Sequence, residues 1–195
     1  MPRESSTGVR LALFALGGAV IVGLLTGGRP SRIAEVRFRW PLAGMGGVVL
    51  QLIPAAGTLG VALLISSFVL LGLAAAANVR LPGFPLILAG LALNFLVIAV
   101  NGGMPVTAHA LAASGQQATM KDLVENGGSK HHLATDADDL VVLADSIPLG
   151  APVRQAVSVG DLMAYAGAAW FIVRGMHRRG GVLSPGDPQI VETSP

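Results

Sequence analysis

The 195-residue chain contains no cysteine and few charged residues. Without cysteine it has no disulfide scaffold, no thiol nucleophile, no cysteine-ligated zinc and no iron–sulfur cluster. Charged residues make up 12% of the chain, about half of their share in a typical soluble domain, while 52% of the residues are hydrophobic. So little charge cannot cover the surface of a soluble domain of this size. We therefore expect a lipid bilayer to solvate much of it.

The balance of charge excludes another class of partner. The net charge is only +2 and the basic residues are scattered along the chain, so nucleic acid is not an expected partner. The expected partners are the lipid bilayer, other membrane proteins or further copies of the chain. No cofactor is predicted.

Charge-poor apolar segments predict an all-α integral membrane bundle of about five transmembrane helices. A helix of about 20 apolar residues crosses the hydrocarbon layer of a bilayer. The predicted spans are residues 11–28, 41–56, 58–79, 84–100 and 157–173. The second is short and rich in glycine, and a turn-like cluster beginning at Pro54 separates it from the third. The first is interpreted as a retained helix, because no small-residue cleavage site follows it.

The basic residues orient these spans. Four arginines lie between the first two spans, Arg80 lies between the third and fourth, and three arginines follow the fifth. Connections rich in arginine stay in the cytoplasm, so the chain crosses five times with its N-terminus outside. A re-entrant second segment would instead place the four arginines outside. The sequence therefore predicts a multi-pass protein of the bacterial cytoplasmic membrane.

The same orientation gives the domain organisation. Residues 102–156 form a small helical cap outside the cell, and this cap with Asp161 carries seven of the eleven acidic residues. Residues 1–179 are predicted to form a single transmembrane domain. Residues 180–195 are rich in Gly, Pro, Ser and Thr and are predicted to be a disordered cytoplasmic tail.

Small and polar residues within the spans indicate how the helices associate. Helices in lipid approach one another closely at small residues, which we expect at Gly17, Gly47, Gly72 and Gly167 among others. Asn94 and Asn101 are seven residues apart and share a helix face. The structural interpretation is hydrogen bonding between helices, and the alternative is a ligand site or a transport path.

A group of histidine and aspartate residues in the cap is a candidate metal site. Imidazole and carboxylate groups suit Zn²⁺ or Mn²⁺, and the candidate ligands are His131, His132 and Asp136. His132 and Asp136 are four residues apart and would meet on one face of a helix. Alternatively, the adjacent histidines point to different sides, residues 136–143 form a short helix, and the group is a pH-responsive surface.

Asp145 and Asp161 form a candidate catalytic pair. Asp161 lies at the lipid interface at the start of the fifth span, where a lone carboxylate is costly. Prolines and glycine in the connecting segment allow the two side chains to fold together. Two adjacent carboxyl groups share a proton, so that one acts as an acid and the other as a base on a water molecule. The alternative is that Asp161 caps the fifth helix and Asp145 caps a turn or pairs with Arg154.

Four blocks of sequence resemble a family of small bacterial polytopic membrane proteins that is defined as a domain of unknown function. The blocks are Asn101-Gly-Gly-Met-Pro-Val106, Lys130-His-His-Leu133, Leu143-Ala-Asp-Ser-Ile-Pro-Leu149 and Ser158-Val-Gly-Asp-Leu162. The resemblance covers about residues 10–174. It implies a polytopic bacterial membrane protein and supplies no activity.

The chain is also loosely similar to lipoprotein signal peptidase, an intramembrane aspartyl protease. Asn101-Gly-Gly, Asp145 and Asp161 occupy places comparable to the Asn-x-Gly block and the two aspartates of that enzyme. This similarity implies catalytic aspartates, with Asn101 orienting the backbone of substrate or cap. The chain departs from that enzyme in its five predicted spans instead of four, and in lacking the phenylalanine of the Asn-x-Gly block and an Asp-Arg pair.

Three functional hypotheses follow. Because no strong catalytic or transport signature is present, the leading one is an accessory or assembly protein of the cell envelope. The second is a hydrolase or peptidase that uses Asp145 and Asp161 at the outer membrane–water interface, with Asn101 as the orienting residue. The third is a small oligomeric transporter or channel in which Gln51, Asn94 and Asn101 line a path.

Overall fold

Five long helices and a small mixed cap make up the part of the chain described by a computed structural model, residues 7–55, 57–128 and 130–177. The predicted disordered tail at 180–195 lies outside these residues. The helices are α1 (Thr7–Leu25), α2 (Pro41–Leu52), α3 (Gly57–Ala77), α4 (Phe84–Asn101), α5 (Ala108–Ala113), α6 (Gln117–Asn126) and α7 (Val159–His177). The long helices pack in the order α2, α3, α4, α7, α1.

The five long helices run between two opposite ends of the bundle. At one end, the backbone N–H of Arg29 after α1 donates to the carbonyl of Met176 in α7 at 2.8 Å. At the same end, Asn78 after α3 exchanges two hydrogen bonds with the backbone of Arg39 before α2. At the other end, Lys130 of the cap donates to the carbonyls of Gln51 and Ile53. The arginine-bearing connections and the cap are therefore at opposite ends, as the charge pattern indicated.

Two of the long helices are long and apolar enough to cross a membrane. They are α3 and α4, and only 22% of the apolar window of each is buried within the protein. The other apolar segments are shorter: α1 contributes residues 10–25, and α2 has 12 residues, or about 18 Å at the helical rise. The chain is therefore mostly helical, with two candidate membrane-spanning helices.

Close approach of α4 and α7 depends on glycines spaced seven residues apart on both helices. A Cβ atom added to Gly90 would collide with the carbonyl of Gly160, and one added to Gly83 would collide with that of Gly167. The expected contact at Gly167 is thus present. At Gly17 and Gly72, in contrast, an added Cβ would meet no atom within 4 Å. These glycines are not packing contacts, because their helix faces point away from the neighbouring helices.

The cap contains four short strands, β1 (Met104–Val106), β2 (His131–Leu133), β3 (Ile147–Leu149) and β4 (Gln155–Val157). β1 and β2 are parallel, and β3 and β4 are antiparallel. Helices α5 and α6 pack over these strands around a small apolar core formed by Val106, Leu111 and Leu123 with their neighbours. The cap is therefore held by mixed structure, whereas the sequence predicted helices alone.

The helix predicted over residues 136–143 is not formed. The segment is a turn followed by a short 3₁₀ helix at Val141–Leu143. The carboxylate of Asp138 accepts hydrogen bonds from the backbone N–H and hydroxyl of Thr135, which closes a turn. Leu140 has a φ of 56°, a left-handed conformation that interrupts a right-handed helix.

Candidate active site at the junction of cap and bundle

The four sequence blocks quoted above are brought together where the cap meets the bundle. The first block ends α4 at Asn101 and continues as β1, and the second forms β2. Asp145 of the third block pairs with β1 through a bridge to Val106, and the fourth block begins α7. We call this region the cap–bundle junction. Segments separated by up to about 60 residues therefore contribute to one site.

Strand pairing holds the backbone of Asp145 in place. Its N–H donates to the carbonyl of Pro105, and its carbonyl accepts from the N–H of Thr107, each at 3.1 Å. β1 thus has β2 along one edge and Asp145 along the other. Two glycines precede β1, which allows α4 to end and the chain to turn directly into this strand.

The carboxyl group of Asp145 is buried with incomplete hydrogen bonding. The residue is 7% exposed, and its Oδ1 has no hydrogen-bond partner. Its Oδ2 lies 3.8 Å from Nε2 of His131, and no ion pair with Arg154 forms among the described residues. A buried oxygen without a partner is uncommon in folded proteins and requires an explanation.

Burial raises the pKa of Asp145 well above its usual value of 3.8, and the negative charge of Asp161 raises it further. The physical cause is that a carboxylate loses its hydration in the protein interior, while a second negative charge nearby opposes ionisation. The two predicted acids therefore belong to one electrostatic unit, in which the protonated form of Asp145 is favoured.

Asp161 lies in a hydrogen-bonded arrangement at the start of α7. Its backbone N–H donates to the hydroxyl of Ser158 at 2.9 Å, and its Oδ2 accepts from the N–H of Ser158 at 3.2 Å. This reciprocal pair is a capping box with aspartate as the acidic member. The second oxygen, Oδ1, accepts from Nδ2 of Asn94 at 2.7 Å, and the hydroxyl of Ser158 donates to Oδ1 of Asn94. The interpretation of Asp161 as a helix cap therefore agrees with its contacts, and Asn94 ties this cap to α4.

A pocket of about 450 Å³ lies between the start of α3, the end of α4 and β2. Much of its wall is backbone, because Gly57, Gly102 and Gly103 line it. His131 also lines the pocket and approaches Asp145 within 3.8 Å, so this histidine links the open pocket to the buried carboxyl group. No sequence signal pointed to that linking position.

The proposed metal ligands do not converge. His131 and His132 are successive residues of a strand, so their side chains leave on opposite faces. His131 faces Asp145, whereas Nε2 of His132 lies 2.7 Å from Oδ1 of Asp138. Asp136 is exposed, and the extended backbone before it prevents the contact that a helix would have made. Within the described segments, no three His, Asp or Glu side chains are placed to hold a metal ion.

The His132–Asp138 pair is a polar contact within the cap. Burial opposes ionisation of Asp138, but hydrogen bonds from His132 and Thr135 and the charge of His132 outweigh it and lower the pKa of Asp138. These contacts connect β2 to the turn that follows it. The pair therefore explains the position of Asp138 within the cap.

The asparagine residues bond to neighbouring segments. Asn101 donates to the carbonyl of Asp139 and accepts from its N–H, which joins the end of α4 to the cap backbone. Asn94 contacts Asp161 and Ser158, as described above. Gln51 accepts at its backbone carbonyl from Lys130. The contacts of the two asparagine side chains favour the structural interpretation over a transport path, and they make Asn101 a positioning residue of the cap.

One important residue of the site, Ser158, was not singled out by the sequence reasoning. The spacing Ser158-x-x-Asp161 before an apolar run is the sequence signature of a helix N-terminus, and that signal was available. Its bond to Asn94 could not be found in this way, because 64 residues separate the two side chains.

Comparison with known proteins identifies the family. Residues 39–173 match the family of unknown function DUF5317. The chain belongs to this family. The matched region contains all four blocks of the cap–bundle junction, so the resemblance predicted from those blocks is confirmed.

An uncharacterized protein of Thermotoga maritima is similar to this chain. The two are 37% identical over 110 residues, which cover 55% of this chain and 60% of the relative. The chain thus matches somewhat more than half the length of that curated relative. No solved structure matches the chain.

Proposed function

We propose that this chain is a five-span protein of the bacterial cytoplasmic membrane that hydrolyses an amide or ester bond at its cap–bundle junction. The membrane assignment is supported by the apolar surface of the helices. Leu42 on α2 is 80% exposed, and Leu13 and Leu59 on α1 and α3 are similarly open. A core helix of a soluble protein would bury such residues, whereas lipid solvates them.

The short helix α2 fits this membrane assignment because the cap approaches it. Nζ of Lys130 lies 2.5 Å from the carbonyl of Gln51 and 3.0 Å from that of Ile53. A cation is favourable at a helix C-terminus, where the last carbonyl groups lack partners within the helix. The cap therefore lies against the outer end of α2, so this short helix does not have to cross the full thickness of the bilayer alone.

The hydrolase proposal rests on one observation, the buried Oδ1 of Asp145 without a hydrogen-bond partner, in a carboxyl group whose pKa is raised by burial and by the charge of Asp161. A fold gains no stability from such a carboxyl group, whereas acid–base catalysis needs one. Both oxygens of Asp161, in contrast, accept hydrogen bonds, from Asn94 and from Ser158. Two carboxyl groups in such different environments take the roles of acid and base.

In the proposed reaction, a water molecule attacks the carbonyl carbon of the substrate. Asp161 accepts a proton from this water as its oxygen bonds to carbon. Asp145 gives its proton to the leaving nitrogen or oxygen as the bond to carbon breaks. A proton then passes from Asp161 to Asp145 and restores both groups. The substrate reaches Asp145 from the glycine-lined pocket, past His131.

The test detects hydrolysis of any amide or ester in a mixture of membrane components. Purified protein in lipid vesicles is incubated in ¹⁸O-labelled water with a membrane extract from a strain that lacks the gene. Products that carry ¹⁸O in a new carboxyl group are counted by mass spectrometry. We expect Asp145→Asn and Asp161→Asn to lower their formation by about 100-fold or more, the usual contribution of a general acid or base.

Asp136→Asn is the matched control, because Asp136 is an exposed acid of the same cap. It should produce the same labelled products as the wild type. If the wild type and Asp145→Asn give identical products, the hydrolase proposal is wrong. The accessory or assembly role would then be the better explanation of the protein.

A further inference from the structure

A second cavity lies at the opposite end of the bundle from the aspartates. It is a groove of about 580 Å³ between α2 and α4, with α3 as its floor. Met45, Val48 and Val49 of α2 form one wall, and Leu71 and Leu91 lie on the other helices. We call this cavity the α2–α4 groove. Its body is apolar along its length.

The side chain of Asn78, which borders the groove, is already hydrogen-bonded. Asn78 is buried, accepts from the N–H of Arg39, and donates to the carbonyls of Arg39 and Ala74. Both N–H donors of this side chain are used within the protein, and its oxygen already accepts one hydrogen bond. Its occupant therefore has an apolar body.

The mouth of the groove is cationic. Arg39 and Trp40 line it, and Arg37 lies two residues before Arg39. Arg80 lies two residues after Asn78, whose side chain holds the backbone of Arg39. All three arginines are exposed, and no carboxylate of the described residues forms an ion pair with them.

An aromatic cluster fixes the segment that carries these arginines. The ring of Phe38 packs 6.0 Å from that of Phe84 and 5.5 Å from that of Phe171, measured between ring centroids. Because Phe38 is anchored between Arg37 and Arg39, the backbone at the mouth is held against α4 and α7. The positive charge therefore has a set position relative to the groove.

We propose that the α2–α4 groove binds one acyl chain of an anionic phospholipid from the cytoplasmic leaflet, with the lipid phosphate at Arg39 and Arg37. This inference rests on the proposed membrane orientation, which puts the arginine end in the cytoplasm. Arginine at the cytoplasmic interface favours negatively charged headgroups, and tryptophan is enriched at the level of the headgroups. The apolar groove suits the acyl chain of a phospholipid, and the cationic mouth suits its phosphate.

A second copy of the chain fits this groove less well. A symmetric dimer through this face would bring the same arginines of two protomers together. Like charges oppose such a contact. An anionic lipid, in contrast, neutralises the mouth while its chain fills the groove.

The experiment compares two lipids with identical acyl chains. Protein purified in detergent is mixed with equal amounts of phosphatidylglycerol and phosphatidylcholine, and the bound lipid is measured by native mass spectrometry. The wild type should retain phosphatidylglycerol in preference to phosphatidylcholine. Arg39→Gln and Arg37→Gln should each reduce that preference about fivefold, the effect of one basic residue at an anionic surface. Arg174→Gln is the control, since this exposed arginine is at the same end but outside the groove.

A second pair of variants tests the groove itself. Val48→Trp places a large side chain in the groove at a half-exposed position, and it should lower retention of the anionic lipid several-fold. Leu42→Trp on the same helix lies outside the groove lining and should have no effect. Equal retention of both lipids by the wild type, or equal effects of the two tryptophan variants, would overturn the proposal.

This outcome is separable from that of the hydrolase test. The lipid measurement does not involve Asp145 or Asp161, so loss of the hydrolase proposal leaves it unchanged. If the protein is soluble without detergent, the membrane assignment itself is wrong. If it needs detergent but shows no lipid preference, only the inference about the groove is wrong.

Discussion

Burial of Asp145 lowers the stability of the fold at neutral pH. The pKa of Asp145 in the folded protein is raised above its unfolded value. The contribution of Asp145 to stability is therefore fully present below the unfolded pKa. That contribution is lost as the pH rises through the folded pKa. Asp145 therefore differs from a surface carboxylate, which titrates alike in both states.

Asp145→Asn should remove the loss of stability at high pH, because the amide keeps the shape of the side chain but carries no charge. We expect the variant to be more stable than the wild type at neutral pH, and we expect the difference to disappear below the unfolded pKa, where the wild-type carboxyl group is uncharged in both states. The fluorescence of Trp40 and Trp170 during thermal unfolding in detergent measures this difference as a function of pH.

The exposed Asp136→Asn should stay within about 0.5 kcal/mol of the wild type throughout, as surface substitutions do. A lower stability of Asp145→Asn at neutral pH would show that the carboxylate stabilises the fold. A gain in stability combined with a loss of hydrolysis would mark a functional residue.

The residue types at the site were predictable from the sequence, but their partners were not. Asp161 at the start of an apolar run indicates a helix cap, and its contacts make it the acidic member of a capping box with Ser158. The separation of His131 from His132 depends on β2 being a strand, and that strand forms only against β1. A pattern along the chain therefore indicated candidate site residues but not which of them lie in contact.

At the level of the helices, the contact between α4 and α7 determines where the cap–bundle junction lies. Gly90 and Gly160 bring the two backbones together next to Asn94, so the amide of Asn94 reaches Asp161. A larger residue at either glycine would push the helices apart. The close packing and the hydrogen bonds of the site are therefore linked.

Gly90→Ala and Gly160→Ala should each destabilise the protein by about 1–3 kcal/mol, the typical cost of overpacking. Gly17→Ala and Gly72→Ala are matched controls, because an added Cβ there meets no atom. Alanine should leave the stability unchanged at these positions or raise it by up to about 1 kcal/mol through its helix propensity.

The midpoint of thermal unfolding in detergent measures all four glycine variants. Equal midpoints for Gly160→Ala and Gly72→Ala would contradict the close packing of α4 and α7. The sequence could not distinguish these glycines, because each lies in a similar apolar helix. Only the position of the neighbouring helix does so.

For the whole molecule, the proposed orientation predicts which surface of the cell each connection faces. The chain has no cysteine, so a single introduced thiol reports its own location. Ala137→Cys in the cap and Ser31→Cys in an arginine-bearing connection are both at exposed positions.

A membrane-impermeant maleimide should label Ala137→Cys in intact cells and should label Ser31→Cys only after the cells are permeabilised. This difference in labelling is expected because connections rich in arginine stay in the cytoplasm. Labelling of Ser31→Cys in intact cells would show the opposite orientation. The groove would then lie in the other leaflet from the one proposed.

The places of the apolar helices, and the separation of charge between the two ends of the bundle, follow from hydropathy and charge along the chain. Both are local properties, because hydropathy and charge act residue by residue against the surrounding solvent. The α4 helix, predicted at 84–100, is observed at Phe84–Asn101 for this reason.

Which side chains come into contact, in contrast, depends on how the helices and strands pack. The strand pairing of Asp145 with β1, the divergence of the two histidines and the bonds between Asn94, Ser158 and Asp161 all join segments that are distant in the chain. Such contacts depend on which helix faces pack together. That choice is set by close backbone approach at a few glycines, whose neighbours a single sequence does not specify.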